Sequence, residues 1–137
     1  MIGTVAAPGG WNLLHTGLQA AGFLCLTVAS ALGTRALLHV PGSPGAAGLE
    51  AGNLRWTRTG FLGLSGALVT GALGNWRMWG ELGPSSPRDR WVLIAWLIFF
   101  VVLHVHRVKG FRPRSAILAG LAGWALALGG WLAAWAK

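Results

Sequence analysis

Acidic residues are nearly missing from this 137-residue chain, which has three against 11 lysines and arginines. Glu50 falls in one connecting stretch and Glu81 and Asp89 in another. No carboxylate is thus placed within an apolar run for paired acid and base work or for a proton relay. Cysteine is as scarce. Cys25, the only one, lies in an apolar run, which excludes an intrachain disulfide or a cysteine metal cluster and leaves it the role of a small buried hydrophobe. The sequence also has no metal-binding motif, no glycine loop set before a helix to cradle phosphate, and no nucleophile beside an evident base. These absences point to a protein that is not an enzyme.

What fills the chain instead is apolar. Hydrophobic residues make up 54% and charged residues 10%, with mean hydropathy +0.58, the composition of a membrane protein in a single transmembrane domain over residues 1–137. A net charge of +8 would suit nucleic acid if it were gathered on a water-facing patch, but the lysines and arginines sit at the ends of apolar runs, so nucleic acid is not an expected partner and lipid is. The N-terminal MIGTVAAPGGW has no basic stretch ahead of its apolar segment, so the first helix reads as a retained span rather than a cleaved signal.

The expected fold is all-α, an integral membrane four-helix bundle with spans at about 11–39, 56–79, 90–106 and 115–136. A hydrocarbon core of about 30 Å takes about 20 helical residues. Trp11 is placed as an interfacial anchor, Asn12 as the first N-cap, and Pro41 with Gly42 as the stop; PGSPGAAGLEAGNLR then reads as a loop. The second span carries Gly63, Ala67 and Gly71, extended by Gly60 and Gly74, on a face where another backbone can approach. Ser86, Pro87 and Asp89 form an S-x-x-D box with proline at the first helical position, which starts the third span. In the fourth, Gly123, Ala127, Gly130 and Ala134 share one face, and Trp124, Trp131 and Trp135 a neighbouring one suited to filling space or anchoring. Arg35, Arg55, Arg58, Arg107, Lys109, Arg112 and Arg114 lie on one side against Arg77, Arg88, Arg90 and Lys137 on the other. The positive-inside rule then places both termini outside, in a multi-pass protein of the cell (inner) membrane.

Histidines are the chemical candidates. His15 lies near the outer end of the first span, while His39 reaches the inner depth of His104 and His106 on the third. An imidazole in or beside a membrane span is costly unless it faces a partner, and it is a common axial ligand of haem iron. Trp96, Phe100 and His104, four residues apart, put two aromatics and an imidazole on one face, as a porphyrin wall would require. The alternative reading leaves His39 and His106 at headgroup level and His104 bonded to a neighbouring helix.

The stretch from Arg58 to Gly123 resembles the C-terminal core of the CcsA-type cytochrome c assembly proteins. Gly71 ends a helix in the family manner, and Trp79 and Gly80 open the following loop. Pro87, Arg88, Asp89 and Trp91 keep the spacing of the family's P-K-E-x-W. Leu93, Ile94, Trp96, Leu97, Leu103, His104 and the segment Gly110 to Arg112 continue the match. Leu14 and His15 resemble the start of the family helix that opens with an outer haem-ligating histidine. The departures are Gly74 in place of a tryptophan, and Gly83, Ser85 and Ser86 where the family has the two tryptophans and the aspartate of its haem platform. The resemblance implies a protein that binds or relays haem, a b-type haem, with His104 as first ligand candidate and His15 second; His39 is third on depth alone. It also implies other membrane subunits and a c-type cytochrome or its assembly partner as partners. A haem-free structural subunit of a larger respiratory or photosynthetic complex is the competing reading.

Overall fold

The computed structural model describes residues 9–84, 86–109 and 112–136. Ser85, Gly110, Phe111 and Lys137, which enter the resemblance or the charge count, lie outside the described residues, as does the side chain of Lys109. Four helices follow one another: α1 (Gly9–Leu37), α2 (Pro44–Trp79), α3 (Pro87–Lys109) and α4 (Pro113–Trp135). Among the described residues there is no strand. Three of the helices are long and apolar enough to cross a membrane: α1, α3 over Pro87–Val108, and α4. Three such helices suit a multi-pass membrane protein.

The helix boundaries follow local chemistry. Ser43 is extended (φ −68°, ψ 150°) and its Oγ accepts the Ala46 N–H at 3.2 Å, with Pro44 at the first helical position. That cap starts α2 about twelve residues before the expected second span, so the stretch read as a loop is helical from residue 44. Glycines read as punctuation are contact points there: a β-carbon on Gly45 would lie 3.2 Å from the His39 ring, and one on Gly52 3.2 Å from Leu32. Asn53 Nδ2 donates to Ala29 O at 2.7 Å and pins this extension to α1. The helix ends at Gly80, whose φ of +71° favours glycine and whose N–H closes on Trp76 O at 2.9 Å. The cap expected at Ser86 is present: Asp89 N–H donates to Ser86 Oγ at 3.2 Å, and Ser86 Oγ donates to Asp89 Oδ2 at 2.8 Å. Asn12, expected as the first N-cap, lies inside α1, which begins three residues earlier at Gly9.

At about 1.5 Å per residue the 36 residues of α2 exceed the thickness of a hydrocarbon core. This helix is not one of the three apolar spans. Its glycines add little hydropathy, and Arg55, Arg58, Asn75 and Arg77 subtract from it. It packs most extensively on α1, while α3 packs on α4. A β-carbon on Gly63 would stand 3.0 Å from Gly22 Cα, and one on Gly60 2.9 Å from Gly22 O, so the two backbones are nearly in contact. In α4, Gly123 lies against Ile98 and Gly130 against Trp91, and Ala127 is fully buried. Phe23, Leu26, Leu64, Ala67, Val92, Ala95, Phe99 and Ala127 form the core joining the four helices. The tryptophans of α4 fasten it to α1: Trp124 Nε1 donates to Thr27 Oγ1 at 3.0 Å, and Trp131 packs at 5.2 Å against Phe23 with the ring planes tilted by 37°.

Candidate functional site

Two sets of side chains carry the chemistry, at different levels of the molecule. The first gathers around His15 on α1. Its Nδ1 is 2.9 Å from Ala67 O, and its Nε2 is 3.0 Å from Asp89 Oδ1 on α3. One turn further along α1, Gln19 sends its amide N to the same Oδ1 at 2.8 Å and to within 2.9 Å of His15 Nε2. The Gln19 amide has one possible orientation, because Trp131 Nε1–H donates to its Oε1 at 3.3 Å and only the NH2 is left for Asp89. Gln19 is 3% exposed, and the side chains of His15 and Asp89 are 18% and 16% exposed. The cluster therefore joins all four helices in a place of limited water access, where hydrogen bonds are stronger and unpaired groups costlier than at a surface.

The imidazole can make its bonds in two ways. Donation from both nitrogens, to Ala67 O and to Asp89, requires the doubly protonated ring, which is then the countercharge of the carboxylate. With the Nε2 proton on Asp89 Oδ1 instead, Nε2 becomes an acceptor facing two donors, the carboxyl group and the Gln19 amide. Glycine at position 71 makes room for the ring: a β-carbon there would be 2.7 Å from His15 Cε1. The face of α2 read as a backbone contact thus does two jobs, with Gly63 meeting the α1 backbone and Gly71 meeting an imidazole. Gly74 receives the indole of Trp11, whose Nε1 donates to Thr70 O at 3.1 Å; the residue expected as an interfacial anchor is turned onto α2.

The second set lies on α3. Trp96 and Phe100 are stacked with centroids 5.3 Å apart and planes 16° apart, and Phe100 and His104 are 5.9 Å apart with planes at 13°. Phe61 of α2 packs on Trp96 at 5.4 Å and lies 6.5 Å from Phe100, and Trp96 Nε1 donates to Ser65 Oγ at 2.8 Å. The spacing of four therefore produces a ladder rather than a flat wall, because each ring lies on the next. His104 stands at the end of the ladder. His104 and Phe100 are exposed, and no hydrogen bond to the His104 ring occurs among the described residues.

The remaining histidines go elsewhere. His39 is exposed beyond the end of α1; its Nδ1 is 2.8 Å from Arg35 O, and its carbonyl accepts from Arg114. It does not join the ladder. His106 turns inward to a pocket of about 240 Å³ at this end, lined also by Glu50, Asn53 and Phe99, with its Nδ1 buried and unbonded. Sequence reasoning passed over Gln19, Thr70 and the pairing of Asp89 with His15. The signal for Gln19 was its place four residues after His15, on the same helix face. Among the described residues no group of three histidine, cysteine or acidic side chains could hold a metal ion.

The chain is 31% identical over 75 residues to the cytochrome c biogenesis protein CcsA of Synechococcus sp. (strain CC9605), which covers 55% of this chain and 25% of that protein. It is 33% identical over 72 residues to that of Heterosigma akashiwo (strain NIES-293 / 8280G21-1), covering 53% and 22%. The chain thus spans about a quarter of the length of these relatives. No solved structure matches it. A sequence profile described as "Cytochrome C assembly protein" matches residues 8–132, nearly the whole chain, and the protein belongs to that family.

Proposed function

We propose that this chain is a small CcsA-like membrane protein that binds or relays haem in the bilayer, in cytochrome c assembly or in an electron-transfer complex. It would do so without catalysing a reaction. Its partners would be other membrane subunits and a c-type cytochrome or the assembly partner of one. The four helices are read as one membrane bundle with both termini outside, following the distribution of basic residues. The observation that carries the haem reading is the ladder of Trp96, Phe100 and His104, which ends on an exposed imidazole with no hydrogen bond among the described residues.

The residues present fit one half of a haem site. Stacking on Phe100 sets the plane of the exposed His104 ring, so an axial ligand would be held in place before binding. The edges of Trp96 and Phe100 would meet the macrocycle in the edge-to-face manner that aromatic quadrupoles favour. The iron, once held, would supply the electron-transfer or transfer chemistry of the assembly pathway. No other histidine joins the ladder, so a second axial ligand would come from a partner. His15 ranks second, because its Nε2 is engaged by Asp89, and His39 third, because it stacks on no aromatic ring among the described residues.

The test is a titration of detergent-purified protein with hemin. Wild type should develop a Soret band that saturates at one equivalent. His104→Ala should lose it, while His39→Ala keeps it. Equal titrations for wild type and His104→Ala would remove the ladder from the account.

A further inference from the structure

The end of the bundle where α1 and α3 finish and α4 begins holds the pocket of about 240 Å³ into which His106 turns, lined from all four helices and separate from both the ladder and the His15 cluster. Most of its wall is apolar, with the buried Phe99 on one side. The early part of α2, residues 44–55, supplies Ala47, Glu50 and Ala51, so the helix that stands here in place of a loop builds one wall. The exposed Ala47, Ala51 and Pro113 mark the mouth, between α2 and α4, which touch each other little. Asn53 and Thr57 spend their side-chain donors inside the fold, on Ala29 O and Asn53 O. The side chains of Glu50 and His106 make no hydrogen bond among the described residues, although both line the pocket.

Of the two His106 ring nitrogens, Nδ1 is the one that is both buried and unbonded. A buried N–H without an acceptor is the rarer and costlier defect, so the neutral ring carries its proton on Nε2 and is there a donor. The Glu50 carboxylate only accepts. We propose that this pocket binds an uncharged amphiphile with a single hydroxyl on an apolar body of one or two rings, the hydroxyl accepting from His106 and donating to Glu50. Charge selects against the alternatives. A ligand carboxylate would meet Glu50 in a largely apolar space. An ammonium group cannot accept from Nε2, and it would have to enter past Arg35 in the last turn of α1, Arg107 near the end of α3, and Arg112 and Arg114 at the start of α4. A ketone would accept from His106 and leave Glu50 without a donor. Size sets the body: an apolar cavity of about 150 Å³ takes benzene, and drug-sized ligands begin near about 300 Å³.

The probe is a fluorinated 2-naphthol, followed by fluorine NMR with the full chain in lipid nanodiscs; empty nanodiscs give the part that dissolves in lipid. Wild type should show a bound signal that saturates at one equivalent. Fluoronaphthalene, which lacks the hydroxyl, and fluorinated 2-naphthoate, which carries a charge, should each bind about tenfold more weakly or worse. Gly120→Leu should abolish binding by filling the space: Gly120 lines the pocket, and the nearest atom to a β-carbon there is on Phe99 at 3.9 Å, so the side chain enters without striking backbone. His106→Phe, which keeps a ring and removes the donor, should weaken the naphthol by about tenfold and leave fluoronaphthalene unchanged. Glu50→Gln should narrow the gap between naphthoate and naphthol. Circular dichroism of each variant checks that the helices persist. No saturable naphthol signal in wild type, naphthol and fluoronaphthalene binding alike, or naphthol binding unchanged in His106→Phe would overturn the site. His104→Ala should bind the probe as wild type does, so the loss of its Soret band is read separately and either account can fail without the other.

Discussion

His15 and His104 are the same residue type in the same kind of helix, and the fold treats them in opposite ways. His15 is surrounded: a carbonyl of α2, a carboxylate of α3 and an amide of its own helix meet its two nitrogens. His104 lies against a phenyl ring, and its ring makes no hydrogen bond among the described residues. The first imidazole holds helices together and the second is available to something outside. The difference comes from neighbours, because glycine at 71 lets α2 close over one ring, while the exposed face of α3 leaves the other open.

Substitutions can break this contrast. The largest effect is expected from Gly63→Leu, since a side chain there meets the α1 backbone at Gly22 and cannot be relieved by a rotamer; overpacking should cost about 3 kcal/mol or more. A reversible unfolding titration in mixed micelles measures it, and a cost below 1 kcal/mol would mean the helices separate easily. Gly71→Leu should cost less, roughly 1 to 3 kcal/mol, because it strikes the movable ring of His15 rather than backbone.

Next is Asp89→Ala. It removes the acceptor of both His15 and Gln19 and the anchor of the Ser86 cap, which should cost about 1 to 3 kcal/mol in the same titration. The partial exposure of the pair argues for the lower half of that range. Trp124→Phe, which leaves Thr27 Oγ1 without its indole donor, should cost about 0.5 to 1.5 kcal/mol. The smallest effect belongs to His104→Ala, within about 0.5 kcal/mol, because the ring is exposed and stacks on the exposed Phe100. A His104→Ala cost as large as that of Asp89→Ala would erase the contrast between the two imidazoles.

Much of this was legible from the sequence, for identifiable reasons. The apolar runs gave α1, α3 and α4, and the Ser86, Pro87 and Asp89 box gave the start of α3, because capping is a local event. The long α2 was half missed: in Pro44 to Arg55 the proline is a helix start and the glycines are contacts, and sequence cannot separate these uses from a turn. The spacing of Trp96, Phe100 and His104 placed them on one face, but that the rings would stack on each other depends on side-chain rotamers set by Phe61 and Ser65. The partnership of His15 with Asp89 spans 74 positions and arises only when α1 and α3 are brought together, so neither residue announces it.

The central claim is that the open imidazole, not the surrounded one, serves haem. The absorption spectrum of the protein isolated with its partners, compared between wild type, His104→Ala and His15→Ala, tests it most directly. The account predicts a Soret band in wild type that is lost in His104→Ala and kept in His15→Ala. A wild-type protein without haem attributable to this chain, or a band indifferent to His104, would contradict it and leave the helices as the scaffold of a haem-free subunit.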